Sequence, residues 1–178
     1  MGRLLTVGHG TLDREALAAL LTTAGTGLLI DVRRFPGSRH NPDVGRDALE
    51  QWLPAAGIGY HWEERLGGRR RRDKDADPEA DGWWRVEAFR AYAAHTRTPD
   101  FLAALHDLGE QVATNDTAVV MCSEAVWWRC HRRLVADAAV LLRDLDVAHL
   151  AHSGRTTLHE PSAGARVVDG LLRYDVAE

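Results

Sequence analysis

The segment Cys122-Ser-Glu-Ala-Val-Trp-Trp-Arg-Cys-His-Arg132 packs two thiols, a carboxylate, an imidazole and two guanidiniums into eleven residues. It follows the apolar run Ala118-Val-Val-Met-Cys122 and leads into a helical pattern. The free N–H groups of a helix start favour an anion and lower the pKa of a nearby thiol. Cys122 is therefore a candidate nucleophile with His131 as its base, which would make the protein a thiol-dependent enzyme. The alternative is that Cys122 and Cys130 are small buried hydrophobes. A phosphatase loop of the Cys-x5-Arg kind would need arginine at position 128, where tryptophan stands. The separation of eight between the cysteines matches no common structural zinc spacing, so neither a metal nor another cofactor is expected.

Asp31 and Glu124 offer a second chemistry. Two carboxylates at neighbouring strand ends divide the acid and base roles when their environments push their pKa values apart, as in glycosidic-bond cleavage. Arg33, Arg39, Arg69 and Arg132 would supply bidentate grips on phosphate or carboxylate, with Arg33 and Arg132 holding the anion beside the two carboxylates. The competing reading makes Asp31 an ion-pair partner of Arg33 or Arg132, and Glu124 a helix cap. His9, in Val-Gly-His-Gly, lies where flanking glycines permit close backbone approach to a ligand. Arg69 opens a run of four arginines, but Asp73, Asp75, Asp77, Glu79 and Asp81 follow, so a solvated loop is expected there more than a nucleic-acid stripe. The pairs Trp83-Trp84 and Trp127-Trp128 read as core residues, with one ring of each free to stack on a base or sugar.

These side chains converge if the elements carrying them do. Strands are expected at Leu4 to Gly8, Gly27 to Val32, Ile58 to Glu63, Ala118 to Cys122 and Val147 to Leu150, each a short run rich in branched residues. Helical periodicity predicts helices over Leu12 to Ala24, Arg46 to Ala56, Val86 to Thr96, Pro99 to Ala113 and Trp127 to Arg143. The alternation reads as an α/β fold, a mostly parallel open sheet of about five strands with helices on both faces. Ligands in such sheets bind outside the carboxyl ends of the strands, and each polar cluster follows a predicted strand. Residues 67–84 lack apolar periodicity and are expected to form an exposed charged loop.

The whole chain bounds these readings. Its 178 residues, 45% hydrophobic and 27% charged, fit a single domain over residues 1–178. The 22 basic and 26 acidic side chains give a formal charge of −4, so any basic contact surface must be local. Two cysteines are too few for a secreted disulfide framework, and no apolar run approaches the roughly 20 residues that span a bilayer. A soluble cytoplasmic protein is expected, with no membrane partner; the oligomeric state is not legible.

Four ordered blocks carry a resemblance: Thr6-Val-Gly-His-Gly10, Asp31-Val-Arg-Arg-Phe-Pro-Gly-Ser38, Tyr60-His61 with Leu66-Gly-Gly68, and Cys122-Ser-Glu124 with Cys130-His-Arg132. Together, over about Leu4 to His152, they resemble the bacterial family called domain of unknown function 488. Gly10 departs from the serine usual in that family. The resemblance implies an α/β fold and a shared polar site that adds Ser38, Tyr60, Gly67, Gly68 and Cys130 to the residues above. It names no reaction, and it links the family only loosely to nucleotide and nucleic-acid metabolism. The leading expectation is an enzyme that binds a nucleotide or nucleic-acid segment at the sheet's carboxyl edge. The alternatives are a noncatalytic module binding nucleic acid or a protein, and a thiol enzyme using Cys122.

Overall fold

The structure, a computed structural model, describes residues 2–175. The elements run β1 (Arg3–Gly8), α1 (Arg14–Thr23), β2 (Leu28–Asp31), α2 (Arg46–Ala55), β3 (Gly59–Trp62), α3 (Glu87–His95), α4 (Pro99–Thr114), β4 (Thr117–Cys122), α5 (Arg132–Arg143), β5 (Val147–Leu150), β6 (Thr156–Leu158), β7 (Arg166–Val168) and β8 (Leu171–Arg173). Strands β3-β2-β4-β1-β5-β6 form one sheet in that order. All its pairings are parallel except β5–β6. The expected parallel α/β sheet is present, with β6 added antiparallel at one edge.

Both faces of the sheet are covered, which is why its central strands read as nearly unbroken apolar runs. Leu5, Val7, Leu29, Val119 and Met121 pack against Leu17, Leu20 and Leu21 of α1 and Leu49, Trp52 and Leu53 of α2. On the other face Leu4, Ile30, Ala118, Val120 and Cys122 meet α3, α4 and α5 through Tyr92, Phe101, Leu105, Leu108, Leu134 and Val135. Local chemistry sets the helix starts. The Asp13 carboxylate accepts from the Ala16 amide at 2.8 Å, and the Thr98 hydroxyl accepts from the Phe101 amide, with Pro99 next to it in the first turn.

The helix expected from Trp127 begins instead at Arg132. Trp127–Arg129 form a 3-10 turn, and Cys130 is extended with φ −121° and ψ 150°. That extended residue separates the turn from α5. The hairpin β7–β8 was not anticipated. Its strands have three residues each, too short for a periodicity, but Asp169 and Gly170 both take positive φ between them. An Asp-Gly pair of that kind is the usual connection of a two-residue hairpin.

Residues 67–84 hold no helix or strand, and Asp73 to Glu79 are mostly exposed. The end of the segment is anchored. Asp81 is buried, accepts both arms of Arg97 and takes the Tyr174 amide, while Trp84 packs into the core. Among the described residues, no helix is long and apolar enough to cross a membrane.

Candidate functional site

The order β2-β4-β1 at the centre of the sheet puts three strand ends side by side. Gly8 lies opposite Cys122 in the register, and Asp31 lies opposite Met121. The residues that follow them surround a cavity of about 340 Å³ outside the carboxyl edge. His9 comes from β1, Arg33, Arg34 and Ser38 from β2, and Cys122, Ser123 and Glu124 from β4; Gly68, Arg69, Arg129, Cys130 and His131 complete much of the wall. Segments remote in sequence thus meet in one hollow, as the sheet rule requires.

Three glycines make the junction possible. A Cβ on Gly8 would lie 1.8 Å from the carbonyl oxygen of Glu124, so β1 passes the chain leaving β4 with no room for a side chain. The close approach expected of this glycine is therefore to protein backbone, not to a ligand. At the opposite wall a Cβ on Gly68 would lie 2.9 Å from His131 Nδ1, and one on Gly67 would lie 2.7 Å from the Arg34 nitrogen. The Gly67-Gly68 pair lets the long loop close against the start of α5.

The sulfur atoms carry the sharpest chemistry. Cys122 and Cys130 Sγ are 2.6 Å apart. The Arg132 amide, at the start of α5, donates to Cys130 Sγ at 3.5 Å. His131 Nε2–H donates to the Val32 carbonyl at 3.1 Å, which turns Nδ1 toward Cys130 Sγ at 3.6 Å. Burial alone would raise both thiols. For Cys122 it does so, and the hydrogen bond to Cys130 pushes the same way, leaving Cys122 well above the ordinary thiol range. For Cys130, burial is outweighed by hydrogen bonds from Cys122 and His131 and by the charges of His131 and Arg132, so it lies well below that range. The sequence pointed to Cys122 as the nucleophile beside His131; the contacts that lower a thiol, the Arg132 amide and His131 Nδ1, belong to Cys130, and Cys122 lies against it. The extended backbone at Cys130 is what turns its sulfur toward Cys122 and the helix amide.

Asp31 stands behind the cavity and does not line it. It is fully buried, and its oxygens accept from Arg33 Nε at 2.8 Å, Arg33 Nη2 at 2.6 Å and the Tyr60 hydroxyl at 2.7 Å. Burial and the Asp31 charge raise Tyr60 far above the ordinary phenol, which keeps it a donor. The ion-pair reading of Asp31 therefore describes its contacts: it clamps Arg33, whose Nη1 donates to His9 Nε2 at 3.4 Å. His9 Nδ1–H donates to the Gly10 carbonyl, and burial first, then the Arg33 charge, lower its pKa. Glu124 does line the cavity, with one carboxylate oxygen accepting from the Val126 amide at 3.0 Å, as a cap would. The expected division of acid and base work between Asp31 and Glu124 finds Asp31 already committed to four donors, the Arg33 amide being the fourth.

Ser38 sits at the rim, its hydroxyl accepting from the Asn41 amide. Arg69 has φ 57°, and its carbonyl accepts from Arg34 Nη1 at 2.8 Å. Arg34 and Arg69 both lie over the exposed Phe35 ring. The rest of the arginine run disperses: Arg70 folds back on the carbonyls of Glu64 and Gly67, and Arg72 pairs with Glu87. Arg34, Phe35, Ser123 and Arg129 were not singled out from the sequence, although Arg34-Phe35 directly extends the Asp31 motif. Tyr92 was also missed. Its ring lies 5.1 Å from that of His131, and its hydroxyl donates to the Leu66 carbonyl.

Arg132 is a further correction. Its Nη2 donates to the carbonyl oxygens of Glu124 at 2.7 Å and Ala125 at 3.5 Å, and it lines a different, neighbouring cavity. The charge in the first cavity comes instead from Arg34, Arg69 and Arg129, with Arg33 neutralised by Asp31 and Glu124 opposing. Among the described residues, no three or more His, Cys, Asp and Glu side chains are arranged to hold a metal ion.

A doubly covered parallel sheet with a basic, thiol-bearing hollow at its switch point defines an α/β protein with a small-molecule-sized site. The chain belongs to the family described as domain of unknown function DUF488, whose model matches residues 13–139. The Asp31, Tyr60 and Cys122–Arg132 blocks lie within that span, and Thr6–Gly10 lies before it. No curated protein and no solved structure matches the chain.

Proposed function

We propose that the carboxyl-edge cavity takes an anionic, nucleotide-sized ligand and that Cys130 attacks it as a thiolate. The observation that carries this reading is the contact set of Cys130 Sγ: Cys122 at 2.6 Å, the helix amide of Arg132 at 3.5 Å and His131 Nδ1 at 3.6 Å, all facing a hollow ringed by Arg34, Arg69 and Arg129. A thiol next to an imidazole and a helix start transfers its proton readily and becomes the stronger nucleophile. His131 Nδ1 accepts the thiol proton, and its Nε2–H, fixed on the Val32 carbonyl, keeps the ring in place. The arginines supply charge to an anion without a metal-ligand set. A volume of about 340 Å³ falls at the lower end of what small-molecule sites use, which favours a nucleotide over a polymer threaded through the site.

The chemistry that follows is nucleophilic displacement. The Cys130 sulfur forms a bond to the electrophilic carbon or phosphorus of the ligand, the leaving group departs with the bonding pair, and water later releases the adduct. The test is alkylation by iodoacetamide at pH 7 with peptide mapping, in the presence and absence of AMP or inorganic phosphate. Cys130 is expected to react selectively, and the anions to slow that reaction; a Cys130→Ser variant should lose the labelled peptide. Two unreactive cysteines, or a Cys130 rate indifferent to every anion tried, would overturn the reading.

A further inference from the structure

Arg132 has 1% of its surface exposed, and none of the described carboxylates lies within ion-pair distance of its guanidinium. One nitrogen, Nη2, is held by the carbonyls of Glu124 and Ala125. Its Nε is buried and has no acceptor. A buried guanidinium without a carboxylate partner, carrying an unsatisfied donor, is a costly arrangement in a folded chain. It becomes favourable when an anion arrives with the missing acceptor. The cavity beside Arg132, about 280 Å³, is separate from the thiol site and is walled by Ala125, Val126, Trp127, Trp128, Leu150 and Ala151, with Thr6, His149 and His152 among its polar groups.

Those polar groups are already spoken for by one buried chain of hydrogen bonds. The Asp137 carboxylate accepts from the Ser162 amide, the Tyr174 hydroxyl and His159 Nε2 at 2.8 Å. His159 Nδ1 meets His149 Nε2 at 2.9 Å, and His149 Nδ1 meets the Thr6 hydroxyl at 2.6 Å. Read outward from the carboxylate, His149 Nε2–H donates to His159 and the Thr6 hydroxyl donates to His149. Every proton of the chain then points away from the cavity. Burial, then the charges of His159 and Arg132, pushes His149 down to about 3, so it brings no positive charge at neutral pH. Trp127 stacks flat on His149, ring centroids 3.9 Å apart and planes at 4°. His152 Nε2–H donates to the Gly8 carbonyl. Arg132 is thus the cation the cavity offers, set at the end of an aromatic and aliphatic slot.

We infer that this second cavity is a binding site for a small carboxylate with a flat apolar body, its carboxylate on the Arg132 guanidinium and its body along Trp127 and Trp128. One guanidinium matches one negative charge, so a monoanion suits the site better than a phosphate monoester, which is largely dianionic at pH 8. Trp128, 53% exposed, stands at the mouth of the slot, where a ring would cover it.

The test uses the full chain and follows tryptophan fluorescence and thermal stability with benzoate, benzyl alcohol and phenyl phosphate at pH 8. Benzoate is expected to quench saturably and raise Tm, with benzyl alcohol and phenyl phosphate at least about tenfold weaker. Arg132→Gln should abolish the benzoate response. If that variant does not fold, because Arg132 also ties down two carbonyls, Ala151→Trp fills the mouth from its exposed side and should abolish binding with the fold intact. An Arg34→Ala/Arg129→Ala variant, altered at the thiol cavity, should bind benzoate unchanged. Absence of saturable benzoate binding, equal binding of benzyl alcohol, or binding lost in the Arg34/Arg129 variant but kept in Ala151→Trp would overturn the assignment. Because neither cysteine enters this readout, its failure is distinguishable from failure of the thiol reading.

Discussion

Cys130 and Cys122 are chemically identical residues held at opposite ends of thiol behaviour, and a few ångströms decide which is which. Cys130 has a helix amide and His131 within reach, whereas Cys122 finds the Glu124 carbonyl at 3.8 Å and donates to its neighbour. A depressed thiol pKa keeps the reactive anion present as pH falls past the ordinary value of about 8.5. The alkylation rate of Cys130 should therefore hold nearly level between pH 8.5 and 7, where an ordinary thiol would lose more than about tenfold. Cys122→Ala removes a donor and should move the inflection upward, and His131→Gln should do the same; a stopped-flow pH profile of each variant checks both. Asp31 makes a second residue-scale prediction. Removing the hydroxyl in Tyr60→Phe takes one donor from a buried carboxylate and should cost about 1.5–3 kcal/mol in urea unfolding. Asp31→Asn, which strips Arg33 of its partner, should cost about 3–5 kcal/mol. Residue types alone pointed to Asp31, Arg33 and both cysteines. Their division of labour was not legible, because it depends on which donors surround each group in space.

At the scale of elements, the parallel strands were legible because burial on both faces leaves a long apolar run with little else to mean. Leu28–Asp31 and Thr117–Cys122 are of this kind, and their carboxyl ends carried the polar clusters with them. The start of α5 was not legible. Val126 to His131 is compatible with a helix by composition, and only tertiary contacts favour the break: Trp127 stacks on His149, and Cys130 turns toward Cys122. The three-residue strands β6 to β8 were missed because a segment that short shows no alternation to read. The β1–β4 crossing makes the element-scale prediction. Gly8→Ala would place a methyl carbon 1.8 Å from the Glu124 carbonyl oxygen, a backbone atom that cannot swing aside as a side chain would. The β4–α5 connection must move, so the variant should lose at least about 3 kcal/mol in denaturant unfolding, as overpacked sites do. It should also slow Cys130 alkylation, because the shifted connection carries both the sulfur and its helix amide. Unchanged stability and unchanged reactivity would mean that the connection is soft.

For the whole molecule, charge is segregated instead of summed: a chain of net charge −4 gathers Arg34, Arg69 and Arg129 around one hollow and buries a fourth guanidinium, Arg132, beside another. The average composition hid both features, and only the fold, by bringing distant segments together, makes them local. The same burial makes the fold sensitive to mild acid. His149 is held down to about 3, and His9 and His95 are also lowered, in each case mainly by burial. A histidine lowered in the folded state stays neutral there while the unfolded chain takes up a proton at about 6.5, so unfolding gains protons as pH falls. The histidines' contribution is then complete above about pH 6.5 and declines below it, by up to about 1.4 kcal/mol per pH unit for each such histidine. The lowered carboxyl of Glu63 acts in the same direction, but its loss begins only near the unfolded carboxyl pKa of about 4.3. The interval between pH 6.5 and 5 therefore belongs chiefly to the histidines. Urea midpoints measured across it should fall steadily, and added salt should not restore them, because the cause is desolvation and not repulsion between exposed charges. A flat midpoint down to pH 5 would mean that the His149 ring takes up its proton inside the fold, which the Thr6–His149–His159–Asp137 chain, with both ring nitrogens of His149 engaged, is arranged to prevent.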